Sequence, residues 1–473
     1  MPFFCKKRII RVIPEKKMTD DKKFLGTEPV GKLLVKLAVP TVIAQLVNML
    51  YNIVDRIYIG HMEGNGKLAL TGVGVCLPII MIISAFAAFV GTGGAPRASI
   101  SMGKGDNYTA EKMLGGCFTM QIGISLILTA IIALFGRDLL LAFGASGNTI
   151  DYAVDYMSIY SLGTIFVELT LGLNAFITAQ GFANIGMWTV LIGAAANIIL
   201  DPILIYGLGM GVRGAALATV ISQAISCVWV VAFLCGKKTQ LRLRRENLFV
   251  SPKLILPCVA LGSAAFIMQS SESVISVCFN SSLLKYGGDT AVGAMTILTS
   301  VMQFAMLPLQ GIAQGAQPIT SYNYGAKKPE RVKQSFRLLL IVSLCYSILL
   351  WGLIMLFPGG FARLFNDDAE LVAFTAKAMR IYCGVMFLFG IQIACQMTFV
   401  SIGNAPCSII VAVMRKFVLL IPMIYIMPQL FADKTMAVYL AEPVTDTIAV
   451  TFTAILFGFQ FSKALKKLDM EKK

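Results

Sequence analysis

Stretches of 18 or more mainly apolar residues recur along this 473-residue chain from Leu33 to Phe461. A helix of that length crosses about 30 Å of hydrocarbon. Inside hydrocarbon each backbone N–H and C=O needs an internal partner, so only helices and closed barrels can span it. Because the runs are long and uninterrupted, they favour helices. The sequence therefore predicts an all-α membrane protein with twelve transmembrane helices.

Composition argues against a soluble enzyme. The chain is 57% hydrophobic and 14% charged, with a mean hydropathy of +0.77. Soluble domains carry about 25% charged residues, so this chain has too few charges to cover a surface in water. The eleven cysteines lie mostly in apolar runs without a Cys-x-x-Cys pair, which indicates packing rather than metal binding. No G-x-x-x-x-G-K-[ST] motif supports ATP use, and we expect neither catalysis nor a cofactor.

The formal net charge of +15 is distributed along the chain in a way that is typical of a membrane protein. Threading the apolar runs as twelve spans places 31 of the 40 Lys and Arg residues on one face. They occupy Lys6 to Lys36, Arg97 to Lys112, Lys237 to Lys253, Lys327 to Arg337, Arg415 with Lys416 at the predicted start of span 11, and Lys463 to the end. This bias predicts a multi-pass cell-membrane protein with both termini cytoplasmic, and it disfavours nucleic acid as a partner.

The predicted spans divide six and six around a basic linker. They cover residues 33–60, 68–90, 114–135, 152–177, 188–207, 214–235, 255–284, 291–313, 336–357, 374–400, 410–430 and 438–461. The expected domains are a basic tail 1–32, a first lobe 33–236, a linker 237–253, a second lobe 254–462 and a tail 463–473. No apolar stretch precedes residue 33, so we expect no cleavable signal peptide, and either Met1 or Met18 serves as the start.

The two halves of the chain are copies of one unit. An offset of 222 residues aligns a shared G-x-x-P-x-x-S-x-x-x-G that begins at Gly93 and at Gly315. A second cluster of identities, Met157 to Tyr160 with Met379 to Tyr382, falls at the same offset. Because each copy has an even number of spans, both run in the same direction, as in transporters built from parallel repeats. The duplication therefore predicts two six-helix bundles with a substrate pathway between them.

Acidic residues inside the apolar runs are the candidate functional residues. Asp55 lies in the first predicted span and Asp201 in the fifth, and a carboxylate at the centre of a spanning helix costs roughly 2.5–3.5 kcal/mol. Asn197 lies one helical turn before Asp201, and Thr219 of the sixth span is predicted at the same outer depth. Pro202 follows Asp201, and we expect Pro202 and Pro40 to bend their helices.

Two interpretations of the Asp55, Asn197, Asp201 and Thr219 set remain open. Its oxygens suit a hard cation such as Na⁺. Alternatively, two neighbouring carboxyls in a low dielectric favour holding a proton between them. A third possibility is that Asp55, beside Arg56 near a helix end, is merely interfacial.

The second half departs from the first at these positions. At the 222-residue offset Asp55, Asn197 and Asp201 become Val277, Leu419 and Met423, so that we expect the cation site in the first lobe only. Glu272 is predicted to be the sole acid deep in a span of the second half, as a second contact or as a hydrogen-bonded structural residue. Its role stays open.

Two other signals do not predict sites. Gly209, Gly211 and Gly214 match G-x-G-x-x-G, but they join two spans without a βαβ unit. His61, the only histidine, ends the first span and is interpreted as interfacial.

Several segments together resemble the multidrug and toxic compound extrusion (MATE) family from about Leu33 to Phe461. In the first half they are LAVPTVIAQLVNMLYNIVDRIYIGH, LNAFITAQGFANIGM, GAAANIILDPILIYG and VRGAALAT. In the second half they are QMTFVSIGNAP and FVLLIPMIYIMP.

The resemblance implies a secondary antiporter with a V-shaped cleft between two lobes, which exports organic, often cationic compounds in exchange for Na⁺ or H⁺. It places the family's first-lobe ion site on Asp55, Asn197, Asp201 and Thr219. Glu272 is similar to a second-lobe glutamate used by one branch, but that branch's aspartate in span 10 is absent. A lipid-linked precursor flippase of related architecture is the alternative, and the chain is expected to function as a monomer.

Overall fold

The computed structural model describes residues 24–62, 66–365 and 368–472, and within them the secondary structure is helical throughout. Span 1 is Val30–Gly60, span 2 Gly66–Gly103, span 3 Asn107–Ala142, span 4 Ile150–Leu162 with Thr164–Ala179, span 5 Ala183–Pro202 with Ile203–Gly207, span 6 Val212–Cys235, spans 7 and 8 together Pro252–Gly325, span 9 Pro329–Leu356, span 10 Ala369–Tyr382 with Phe389–Ser401, span 11 Ala405–Val413 with Met414–Leu420 and Ile421–Leu430, and span 12 Lys434–Lys472. Short helices occupy Phe24–Thr27, Arg245–Asn247, Pro358–Arg363 and Met386–Leu388. Most of the predicted tail 1–32, and Met18, lie outside the described residues.

The helices account for the twelve predicted spans. In the described part of the chain, nine helices are long and apolar enough to cross a membrane, and two bent pairs raise the number to 11. The 74-residue helix Pro252–Gly325 contains a break at Gly288, where φ is 63° and ψ is −160°. An unbroken helix of that length extends about 110 Å, far beyond the thickness of a bilayer. It therefore supplies two spans, 252–287 and 289–325.

Interruptions of the helices differ from the sequence prediction. Span 4 bends by 57° at Gly163, and span 10 bends by 46° between Tyr382 and Met386. Spans 5 and 11 contain π-helical segments, Ile203–Gly207 and Met414–Leu420. The hydropathy pattern did not predict these features because each lies inside a continuous apolar run. π-helical turns often accompany functional positions.

The hydrophobic cores show how the two six-helix lobes meet. One cluster of buried side chains contains residues of both lobes, among them Leu33, Leu114, Ala313 and Leu339, together with Leu241 of the basic linker. A second cluster draws its buried members only from spans 1 to 6, and a third only from spans 7 to 12. The lobes therefore share a core at the end that carries the basic linker 237–253, here called the basic end, and have separate cores at the opposite, far end.

Polar and aromatic contacts also join the lobes towards the basic end. Gln45 Nε2 of span 1 donates to Gln314 Oε1 of span 8 at 3.2 Å. The rings of Phe86 in span 2 and Phe266 in span 7 lie 4.7 Å apart between centroids. Together with the separate cores, these contacts indicate two lobes that are closed at the basic end and diverge towards the far end.

Candidate functional site

Three of the four residues predicted as an ion site meet between spans 1 and 5, which pack against each other. Asn197 and Asp201 are fully buried, and Asn197 Nδ2 donates to Asp201 Oδ1 at 3.2 Å, as expected for positions one turn apart. The Asp55 carboxyl of span 1 lies within hydrogen-bonding reach of the Asp201 carboxyl. The structure thus brings two acids and an amide from distant parts of the chain into contact.

Thr219 joins this set through a tyrosine. Its hydroxyl donates to the Ala215 carbonyl at 3.1 Å and also contacts the Tyr156 side chain of span 4. Tyr156 is buried and lies within electrostatic range of Asp55, as does Tyr51 of span 1. Sequence reasoning missed both tyrosines, because nothing in the pattern distinguishes them from the other tyrosines of the chain.

The set leaves several oxygens without a partner. Among the described residues, Asp55 Oδ1, Asn197 Oδ1 and Asp201 Oδ2 are buried and accept no hydrogen bond. Buried polar atoms are normally paired, because an orphaned acceptor in an apolar surrounding costs free energy. Two carboxyls and an amide oxygen that converge without donors fit a hard monovalent cation or a proton. These oxygens therefore form a chemically suitable ion site.

The two prolines of the prediction occupy different helical contexts. Pro202 is the last residue of the α-helical part of span 5, and the π-helical segment Ile203–Gly207 follows it directly. Pro40 lies within the continuous helix Val30–Gly60. The next residue, Thr41, donates its hydroxyl to Gly311 O of span 8 at 2.6 Å, so that the region around Pro40 contacts the second lobe.

Glu272 in span 7 belongs to an ion pair that the sequence analysis did not predict. Its Oε1 atom lies 2.7 Å from Lys416 Nζ, in the π-helical segment of span 11. The Lys416 side chain is 6% exposed, whereas that of Glu272 is 56% exposed. The interpretation of Arg415 and Lys416 as interfacial, inside-positive residues is therefore wrong. Both lie well within span 11, where carboxylates of other spans neutralise them.

Arg415 extends this cluster into the second lobe. Its Nε donates to Asp446 Oδ1 at 2.7 Å, and its Nη2 lies 3.4 Å from Glu442 Oε1, both in span 12. Glu442 and Asp446 are buried, so that Glu272 is not the sole acid deep in the second half, and that expectation is wrong. The two acids are one helical turn apart, and this spacing is the signal that sequence reasoning overlooked.

Comparison with known families is consistent with the duplication. The model of the MatE family matches the chain twice, over residues 40–203 and 264–426. The two matches begin and end about 222 residues apart. They include Asp55, Asn197 and Asp201 in the first copy and Glu272 in the second, while Thr219 falls between them.

Curated relatives and solved structures cover nearly the whole chain. Multidrug export protein MepA of Staphylococcus haemolyticus (strain JCSC1435) is 27% identical over 416 residues, which are 88% of this chain and 91% of the relative. MepA of Staphylococcus aureus (strain NCTC 8325 / PS 47) is 24% identical over 410 residues, covering 86% and 89%. A crystal structure of MATE in the bent conformation superposes with a TM-score of 0.89 at 23% identity over 96% of this chain and 100% of the other. A multidrug resistance MATE family transporter in its outward-facing conformation gives a TM-score of 0.88 at 23% identity over 95% and 99%.

Proposed function

Because the chain belongs to the MatE family, a family of multidrug efflux transporters, we propose that it is a secondary antiporter that exports organic, often cationic compounds in exchange for Na⁺ or H⁺. The curated relatives are named multidrug export proteins, which supports several chemically different organic substrates. The observation that carries the proposal is the contact between the Asp55 and Asp201 carboxyls, with unpartnered oxygens beside them.

The proposed cycle uses two states of the lobes. A cation or proton on the Asp55–Asp201 pair neutralises charge that the hydrocarbon otherwise disfavours. Ion and substrate each shift the equilibrium only by their different affinities for the two states. Occupation of the ion site changes the packing of span 1 against span 5, and Pro40 and Pro202 are the proposed bending points. The bound organic compound leaves in the state opposite to the one in which it entered.

Orientation and organisation are part of the proposal. The concentration of Lys and Arg at the basic end supports a cytoplasmic location for that end and for both termini in the cell membrane. With this orientation, lobes that are joined at the basic end correspond to an outward-facing state. We propose first and second lobes at 33–236 and 254–462 with a cytoplasmic linker 237–253. A monomer is the proposed functional unit, since one chain already supplies both lobes.

The flippase alternative receives no support from the buried bases. An anionic headgroup requires unpaired Lys or Arg in the cavity, but Lys416 and Arg415 are each paired with carboxylates. Three acids and two bases leave the second-lobe cluster with a formal charge of −1. Such a cluster repels an anion and suits a cationic substrate.

Reconstituted protein tests the proposed function. Proteoliposomes that contain the full chain are loaded with a fluorescent organic cation and subjected to a Na⁺ gradient at equal pH, or to a pH gradient without Na⁺. One of the two gradients is expected to accelerate movement of the dye against its own gradient. Equal, purely downhill movement under both gradients contradicts antiport.

A further inference from the structure

Glu168 is a buried acid outside the site described above. It lies in the part of span 4 that follows the bend at Gly163, and its side chain is 0% exposed. Both carboxylate oxygens are buried and have no hydrogen-bond partner among the described residues. The sequence analysis did not single it out, although it carries the same signal as Asp55, an acid within a predicted span. The ion site of the proposed function does not include it.

Further unpartnered oxygens lie on the same seam between spans 3 and 4. Gln121 of span 3 is 0% exposed, and its Nε2 donates to the main-chain oxygen of Glu168 at 2.9 Å, while its Oε1 has no partner. Thr164 lies one helical turn before Glu168, is 0% exposed, and has an unpartnered Oγ1. Gly172 lies one turn after Glu168, and a Cβ there would be only 1.4 Å from Gln121 Nε2. Glycine at position 172 thus makes room for the amide beside the acid.

The surroundings offer no positive charge. Spans 2, 3 and 6 pack against this part of span 4, yet no Lys or Arg of the described residues reaches the Glu168 carboxyl. The titratable side chain within electrostatic range is Tyr160, which is itself buried. An unpaired carboxylate in an apolar surrounding is strongly disfavoured and requires a proton or another cation. Two carboxylate oxygens, an amide oxygen and a hydroxyl are the ligand types that a hard cation prefers.

We propose that Glu168, Gln121 and Thr164 form a second monovalent-cation site of the first lobe, which holds either a proton or Na⁺. Its formal charge of −1 matches one monovalent ion. Tyr160 lies near Tyr51, which in turn lies near Asp55, so that a chain of polar side chains links the two sites. The site is a property of ion binding, and it stands whether or not the Asp55–Asp201 pair drives transport.

The test isolates this site from the first. The full-length protein carrying Asp55→Asn and Asp201→Asn is purified and compared with the same protein carrying Glu168→Gln in addition. Infrared spectroscopy reports the C=O stretch of a protonated carboxyl at neutral pH, and ²²Na⁺ binding reports sodium. A protonated-carboxyl band that disappears with Glu168→Gln supports the proton. One Na⁺ bound per chain, lost with Glu168→Gln, supports sodium.

The same measurement overturns the proposal if neither the band nor Na⁺ binding changes with Glu168→Gln. Because Gln is close in shape to a protonated Glu, the variant is expected to fold. Thr164→Val provides a second variant that keeps the acid and removes one oxygen. It is expected to weaken Na⁺ binding by about tenfold, or to shift the carboxyl band without removing it. Asp151→Asn, at an exposed acid, is the control that leaves both signals unchanged.

Discussion

Gly103 and Gly325 occupy equivalent positions in the two halves, and each lies against the backbone of the other's helix. A Cβ on Gly103 would be 2.0 Å from Tyr322 O, and a Cβ on Gly325 would be 2.0 Å from Ile100 O. Ile100 and Tyr322 are themselves 222 residues apart. The contact is therefore reciprocal, as expected for duplicated units related by a twofold axis between spans 2 and 8. It closes the basic end.

Replacement of Gly325 by Ala is expected to loosen this closure. The opposing atom is a backbone carbonyl oxygen that no side-chain rotation can move, so the helices must separate, at a cost of about 1–3 kcal/mol. Amide hydrogen–deuterium exchange over residues 97–103 and 319–325 is expected to become faster. Gly352→Ala is the matched control, because a Cβ at Gly352 in span 9 meets nothing within 4 Å. Equal exchange in both variants contradicts the prediction.

Arg331 is predicted to hold the segment before span 1 against the second lobe. Its Nη2 donates to Leu25 O at 3.1 Å and to Glu28 O at 2.6 Å, and its Nε donates to Asn323 Oδ1 at 2.8 Å. Hydrogen bonds from a charged donor contribute about 1.5–3 kcal/mol each. Arg331→Ala is therefore expected to raise hydrogen exchange of residues 25–28 roughly 10- to 30-fold.

Arg337→Ala provides the comparison for this latch. Arg337 is an exposed base on the same helix, Pro329–Leu356. Its removal changes the net charge by the same amount, and exchange of residues 25–28 is expected to stay at the wild-type rate. If both variants accelerate exchange equally, bulk charge rather than the hydrogen bonds holds the segment.

The Glu272–Lys416 pair predicts an asymmetric response to mutation. Glu272→Gln leaves a buried Lys416 beside Arg415 without its carboxylate, and breaking a buried pair in this way costs about 3–5 kcal/mol. Lys416→Met leaves a half-exposed carboxylate and is expected to cost about 1 kcal/mol. The melting temperature of the purified protein should fall further for Glu272→Gln than for Lys416→Met.

The double variant Glu272→Gln with Lys416→Met separates charge from packing. It removes both members of the pair and strands neither, so that it is expected to melt above the Glu272→Gln single variant. A double variant that melts at or below Glu272→Gln shows that the pair does not neutralise Lys416.

The sequence predicted the features that depend on local composition. Twelve apolar runs gave the spans, the 222-residue offset gave two equivalent halves, and the same rule, polar residues inside apolar runs, singled out Asp55 and Asp201. Their contact could be anticipated because predicted depth placed both in the same half of the bilayer. Helix bends such as the one at Gly163 could not, because they arise from packing within an uninterrupted apolar run.

Pairing between distant spans was the feature that the sequence concealed. Arg415 and Lys416 follow the inside-positive pattern, and only the fold brings Glu442, Asp446 and Glu272 to them from spans 12 and 7. A single sequence contains no information on such partners, since ion pairs across helices depend on which faces meet.

Gradient-driven transport by Asp201→Asn tests the central claim, that the Asp55–Asp201 pair carries the coupling ion. Asp151→Asn, which changes an exposed acid outside the site, is measured beside it in the same proteoliposomes. The account predicts that Asp201→Asn inserts and folds like the wild type but loses transport of the organic cation against its gradient, while Asp151→Asn retains it. Wild-type transport by a well-folded Asp201→Asn protein would contradict the account.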